Sequence, residues 1–326
     1  MSLVLSFIVA AILAGTPLLF GTIGEVITEK SGNLNLGVEG MMFMGGVTGL
    51  AGVYAYEQAV ANPSPFMIAI IGMVCAFLAA AAGGLIYSVI TITFRANQNV
   101  TGLALTIFGT GFGNFIGEWL GGKAGGYVAV GAATKSVFNT GIPVLRNIPF
   151  LGSLLFNYNF LVYLALAMAL VLAYFLNKTR KGLNLKAVGE SPATADAAGI
   201  NVTLYKYLAT CIGGGISGLG GLYIVMNSSN GVGGVWVHNC ISGYGWLAVA
   251  LVIFATWSPL RGILCALVFG GLSVMRYYFS LGIPMQIYDI FPYIATVIVL
   301  IVISFKNKKE NQPPASLGLA YFREER

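Results

Sequence analysis

Apolar stretches about 20 residues long recur along almost the whole chain, and they constrain its fold more than any motif does. A helix of that length crosses the hydrocarbon of a bilayer and satisfies its backbone N–H and C=O groups internally. Candidate spans lie at roughly 3–24, 36–56, 66–94, 100–118, 159–177, 207–226, 244–258, 260–280 and 285–305, about nine in all. Only 9% of the 326 residues are charged, whereas a soluble domain carries about 25%. The chain therefore reads as an all-α, polytopic integral membrane protein. Residues 1–305 form one transmembrane domain and residues 306–326 a polar tail, mobile where its prolines fall. No Lys or Arg precedes Lys30 and no small-residue cleavage site is clear, so the first apolar stretch reads as an uncleaved span.

The net charge of +6 does not point to nucleic acid in so apolar a chain. It bears instead on orientation, because cytoplasmic segments collect Lys and Arg. With the N-terminus outside and the C-terminus in the cytoplasm, thirteen of the seventeen Lys and Arg fall inside, and the opposite orientation inverts the ratio. A long, Gly- and aromatic-rich loop, 119–158, then lies outside, and the polar segment 178–206 lies inside.

Several chemistries are excluded. Cys75, Cys211, Cys240 and Cys265 are scattered, with no CxxC pair, and behave as small hydrophobes. One His and two separated Asp make neither a metal site nor a catalytic set. GEWLGGKA (117–124) has the Gly and Lys of a phosphate loop, but Ala124 stands where the Mg²⁺-binding Ser or Thr belongs, and no strand precedes it. GGGISG (213–218) lies within a span, where Gly214 and Gly218 let helices approach closely. The chain thus holds no nucleotide site of its own.

The inner segment contains GLNLKAVGESPATADAAGI, residues 182–200. Ser191 suits an N-cap and Pro192 the first helical position, with Glu190 beside the positive helix end. Gly199 can adopt the left-handed conformation that ends a helix. A helix over 192–198 is too short to be stable alone and needs a partner surface. Its small residues suit a groove. The surface could be that of another protein or of this chain's own spans.

These residues resemble the cytoplasmic coupling segment of permease subunits of bacterial ABC importers, in the branch serving simple sugars and nucleosides. Arg180, Gly182, Leu183, Lys186–Glu190, Pro192, Ala195 and Ala197–Ile200 match its pattern. EKSGNLNLGVEGMMFMGG (29–46), FRANQNVTGLAL (94–105) and the tail PASLGLAYFREER resemble further segments of nucleoside-type members, the tail matching the shorter permease of such importers. One departure is ISGYGW, where Tyr244 stands in place of a family Arg. The resemblance implies an ABC importer permease fold in the bacterial cell membrane. It also implies a separate ATPase subunit that uses ATP and Mg, a second and longer permease, and an extracellular substrate-binding lipoprotein. Glu190, Pro192, Ala195, Asp196, Ala198 and Gly199 would then dock on the ATPase.

Candidates for the substrate pathway follow from polarity. Asn33 and Asn35 can satisfy freed backbone groups or a sugar hydroxyl, and the backbone role is preferred. Glu39, costly inside a span, either lines the path or fixes a broken-helix backbone. Asn97, Gln98, Asn99 and Thr101 suit a nucleobase or ribose, although Asn99 could simply cap the fourth span. Phe108 and Asn114 lie in the same span and could face the path. In the outer segment 230–246, Trp236, His238 and Trp246 either meet a binding protein or anchor the membrane interface.

The reading is a non-catalytic transport subunit for nucleosides, with ribose or another simple sugar as the rival substrate. A secondary transporter would need coupled ionisable groups within the membrane. Only Glu39, Asp289 and Arg276 stand near the spans, which is thin.

Overall fold

The structure, a computed structural model, describes residues 3–141, 156–227, 232–279, 282, 284–288, 290–305 and 312–322. Asp289, residues 142–155 of the outer loop, and residues 306–311 and 323–326 of the tail lie outside the described residues.

The described residues form helices joined by turns and irregular segments, and their only β structure is one isolated bridge between Ala129 and Val235. In chain order the helices are α1 (Leu3–Lys30), α2 (Val38–Ala59), α3 (Pro65–Ser88, continued by a π-turn over Val89–Thr93), α4 (Gln98–Lys123) and α5 (Ala132–Asn139). There follow α6 (Phe160–Lys178), α7 (Arg180–Glu190), α8 (Pro192–Ala197), α9 (Val202–Met226), α10 (Tyr244–Phe254), α11 (Pro259–Val274), α12 (Met285–Tyr288) and α13 (Phe291–Phe305). Six helices among the described residues are long and apolar enough to cross a membrane: α1, α3 with its π-turn, α4, α6, α9 and α11 with the turn that follows it.

The other three predicted spans correspond to α2, α10 and α13, which are not among these six. α2 is 22 residues long, rich in Gly, and carries Glu39. α10 has 11 residues, about 16 Å by helical rise. It stops where Thr256 and Trp257 take positive φ, at 47° and 54°. α13 has 15 residues.

α9 is the central helix, with 83% of its most apolar window buried against α1, α2 and α3. Its glycines allow this. A Cβ at Gly214 would lie 2.7 Å from Met41 Sδ and 3.0 Å from Ala80 O, and one at Gly218 would meet the Ala80 side chain. In lipid, where apolar burial drives little association, such backbone approach supplies the packing.

α1 runs past its predicted end at residue 24 to Lys30, and Glu25 and Glu29 are 1% and 2% exposed. α2 does not begin at the same level. Gly40 packs on Leu105 and Thr106, about 10 Å up α4 by helical rise. α10 likewise begins inside the molecule, with Gly245 against Glu39 and Ala248 against Gly21. Two helices therefore start in the protein interior and their N-termini meet.

Candidate functional site

The segment between α1 and α2, residues 31–37, is irregular backbone packed inside the protein. Such backbone is tolerated at this depth only when its polar groups find partners, and here they do. Leu34 N donates to Gln98 Oε1 at 2.7 Å, and Leu34 O accepts from Tyr87 Oη at 2.6 Å. Asn35 N donates to Glu25 Oε1 at 3.0 Å, and Gly37 N donates to Asn35 Oδ1 at 2.9 Å. Leu36 O accepts from Thr106 Oγ1 at 2.8 Å. Asn33 Nδ2 donates to Thr210 Oγ1 at 2.9 Å. The Asn and Gly of NLNLG therefore hold a break between two helices.

Three buried carboxylates frame this break. Glu25 takes the Asn35 amide, and Glu29 accepts from Trp257 Nε1. Glu39 accepts from Gly243 N at 2.9 Å and so sits at the N-terminus of α10. There its charge meets the positive end of the helix dipole. Glu25 and Glu29 are absent from the sequence-based candidates, yet they are as buried as Asn35. Their signal was present: two carboxylates four residues apart at the foot of an apolar span, just before SGNLNLG. Glu25→Ala is expected to lower stability by about 1–3 kcal/mol, the penalty for leaving the Asn35 amide unpaired. Glu25→Gln, which keeps an acceptor, should lose less. Thermal unfolding of the purified variants in one detergent checks this ranking.

The remaining polar candidates do not converge. Asn97, not Asn99, is the N-cap of α4 and accepts from Val100 N at 3.1 Å. Thr101 Oγ1 donates to Asn97 O at 2.9 Å, and Asn99 is exposed on the first turn. Phe108 is half-exposed and stacks on Phe112 at 6.2 Å between ring centroids. Asn114, about 24 Å along α4 from Gln98, donates through Nδ2 to Asn239 Oδ1 at 2.8 Å and accepts from Asn239 N at 3.1 Å. That pair ties the outer segment to α4. Tyr244 opens α10 and lines a cavity of about 890 Å³ together with Arg276. His238 Nδ1 lies 2.6 Å from Glu118 Oε1 on the surface, and Trp236 is buried edge-on against Phe43. Trp246 remains 43% exposed.

The segment 178–206 folds into α7, α8 and the start of α9. α7 was not anticipated. Thr179 caps it by accepting from Gly182 N at 3.0 Å, and Lys186 Nζ donates to Asn177 Oδ1 at 2.9 Å. Partial burial pushes the Lys186 ammonium below the ordinary lysine pKa. α8 begins at Pro192 as expected and ends one residue early, at Ala197. Ser191 makes no bond to a backbone amide; its hydroxyl pairs with Thr194 Oγ1 at 2.8 Å. Gly199, at φ 82°, closes the helix with N–H to Asp196 O at 2.9 Å.

The burial pattern divides the small residues. Ala195 is 3% exposed and packs with Val188 and Val202. It holds α8 to its own protein, so of the docking candidates it is the one that the chain's own fold covers. Ala193, Thr194, Ala197, Ala198 and Gly199 are exposed, as is Leu183 on α7 at 65%. Together they make a bare, low-relief surface around a helix too short to stand alone.

The tail holds this surface from behind. Rather than extending freely, residues 314–322 cross from α7 to α4. Ser316 N donates to Gly189 O at 3.0 Å and Gly318 N to Gly32 O at 3.2 Å. Tyr321 Oη donates to Asp196 Oδ2 at 2.9 Å, and Gln98 Nε2 donates to Leu319 O at 3.4 Å. The Arg95 guanidinium lies 4.6 Å from the Phe322 ring centroid. Asp196 and Glu190, both read as docking residues, face the tail, Glu190 Oε2 accepting from Ala315 N at 3.3 Å.

Comparison with known proteins accounts for this layout. A family model described as branched-chain amino acid transport system / permease component matches residues 7–300. A guanosine ABC transporter permease of Bacillus subtilis is 33% identical over 305 residues, 91% of this chain and 92% of that protein. A nucleoside ABC transporter permease of Lactococcus lactis subsp. cremoris is 30% identical over 303 residues, 91% and 92% of the two chains. A putative glucose ABC transporter permease of Haloferax volcanii is 34% identical over 282 residues, 85% of this chain and 78% of that one. No solved structure matches. ABC permeases of this kind are not catalytic and work with an ATPase and a substrate-binding partner. The chain belongs to the family of permease components of the branched-chain amino acid transport system type, and it is a multi-pass membrane subunit of an ABC transporter.

Proposed function

We propose that the chain is a permease of an ATP-driven importer for nucleosides and forms half of the translocation pathway. Two relatives named for guanosine and nucleosides align over 91% of it, and this end-to-end similarity carries the substrate class. The glucose relative aligns over less of both chains, and it supports a simple sugar as the second reading.

The exposed small-residue surface of α8 supports its assignment as the docking element for the ATPase subunit, which supplies ATP and Mg chemistry. This face carries Arg180, Lys181, Lys186 and Arg95, which supports its placement in the cytoplasm and the N-terminus outside. A second permease completes the pathway. α4 supports this, since Ile107, Phe108 and Phe115 are 75%, 52% and 67% exposed, and a Cβ at Gly111 would touch nothing within 4 Å. An extracellular lipoprotein delivers substrate to the opposite face.

The test is uptake of labelled adenosine, uridine, ribose and glucose by cells with and without the gene. ATP-dependent loss of nucleoside uptake alone is expected. Loss of sugar uptake alone would overturn the substrate assignment and leave the permease family untouched.

A further inference from the structure

Lys206 lies one turn into α9 and is 3% exposed, yet among the described residues its ammonium has no hydrogen bond or ion pair. The side chain lines a cavity of about 430 Å³, enclosed by the π-turn after α3, the first turns of α4 and α9, the end of α8 and the tail. Arg95, held at φ 58°, lines the same cavity. So do Gln98, Thr203 and Tyr321, and Asn33, whose buried Oδ1 has no partner. Thr203 brings the first turn of a 25-residue helix; Asn201 Oδ1 already accepts from Leu204 N there at 3.0 Å, which leaves the Val202 and Thr203 amides without intrahelical acceptors. The one carboxylate in the wall, Asp196, already accepts from Tyr321.

We infer that this cavity binds a phosphoryl group. An ammonium, a guanidinium and a helix N-terminus facing one space are the standard elements of phosphate recognition. The volume exceeds that of a single phosphate and falls in the range of small-molecule sites, so the group can carry an organic body. The same chemistry is offered by a soluble phosphate monoester and by a phospholipid headgroup, because the cavity lies at the ends of spanning helices. A ligand there would join the end of α8, the tail and the start of α9. The inference concerns this chain alone and does not rest on the substrate assignment.

The test uses the purified full chain in nanodiscs, without the ATPase, at fixed ionic strength. In phosphatidylcholine discs, labelled orthophosphate and 5′-AMP are expected to bind and adenosine is not. Lys206→Met, which keeps length and apolar volume, should weaken binding at least tenfold. Arg95→Gln, at the exposed rim where folding is not at stake, should weaken it severalfold. If instead phosphatidylglycerol is retained by the wild-type chain, competes with orthophosphate and is released by Lys206→Met, the phosphoryl site stands and its source is lipid. Absence of binding in both kinds of disc would overturn the inference, as would binding unchanged in both variants. Binding that emerges only after Glu324 and Glu325 are changed to Gln would assign the cavity to the chain's own end and overturn it too.

Discussion

Ala198→Trp should reduce ATP-driven uptake at least tenfold and leave the chain's insertion and thermal stability nearly unchanged. The residue is exposed, just past the end of α8; its amide closes the helix on Thr194 O at 3.0 Å, which any residue can do, and its side chain is not in the cluster that holds α8. An indole there projects away from the protein, and surface changes of this kind usually shift stability by no more than about 0.5 kcal/mol. It would, however, fill the groove of any partner shaped to a small-residue helix, where added bulk is poorly tolerated. ATP hydrolysis by the assembled transporter should then persist without uptake, or the ATPase should fail to copurify. Ala195→Trp is the contrasting variant. Ala195 is buried against Val188 and Val202, so an indole there should damage the segment itself and lower the melting temperature. Measuring both uptake and unfolding for the two variants separates a blocked docking surface from a broken helix. Normal uptake by Ala198→Trp would remove α8 from the coupling assignment.

The contrast marks how far the sequence could be read. Composition and apolar runs identify a polytopic helical protein, because in lipid a helix must satisfy its own backbone and little else can span. The Pro and the Gly of α8 locate it within a residue, since those signals are local, although Ser191 caps no amide. What failed were features decided by distant partners. Glu25 and Glu29 looked like the end of a span, and they are buried only because Asn35 and Trp257 come to meet them, the latter 228 residues away. α10 read as a short span, and its start in the interior follows from Glu39 and Gly21 packing on it. Ala195 and Ala198 look alike in sequence and differ entirely in burial. Gln98 and Asn114 were both read as candidates for the path, and the helix sets them about 24 Å apart. The prolines of the tail suggested mobility, whereas Pro314 is buried and Ser316 is bonded to Gly189.

That docked tail leads to the second large effect. A chain ending at Asn311 should insert normally but lose at least tenfold in uptake. Deletion removes the donors to Gly189 O, Gly32 O and the Asp196 carboxylate, each worth about 0.5–1.5 kcal/mol, with more for the charged acceptor. A six-residue helix has almost no stability of its own. Without the tail, α8 rests on the small cluster of Ala195, Val188 and Val202 with Ala187, Ile200 and Tyr205 against it, and a push from the ATPase side would bend α8 rather than move the spans. The tail also joins the coupling segment to Gly32 and Gln98, and Gln98 holds Leu34 in the helix break. Force applied at α8 therefore has a bonded route to the two helix starts inside the membrane. Tyr321→Phe tests the same route more gently. It removes one hydroxyl from Asp196 and should lower uptake severalfold, with unchanged expression and a smaller fall in melting temperature than the truncation causes. Full uptake by both the truncated chain and Tyr321→Phe would show that α8 needs no brace and that the force travels through α7 and α9 alone.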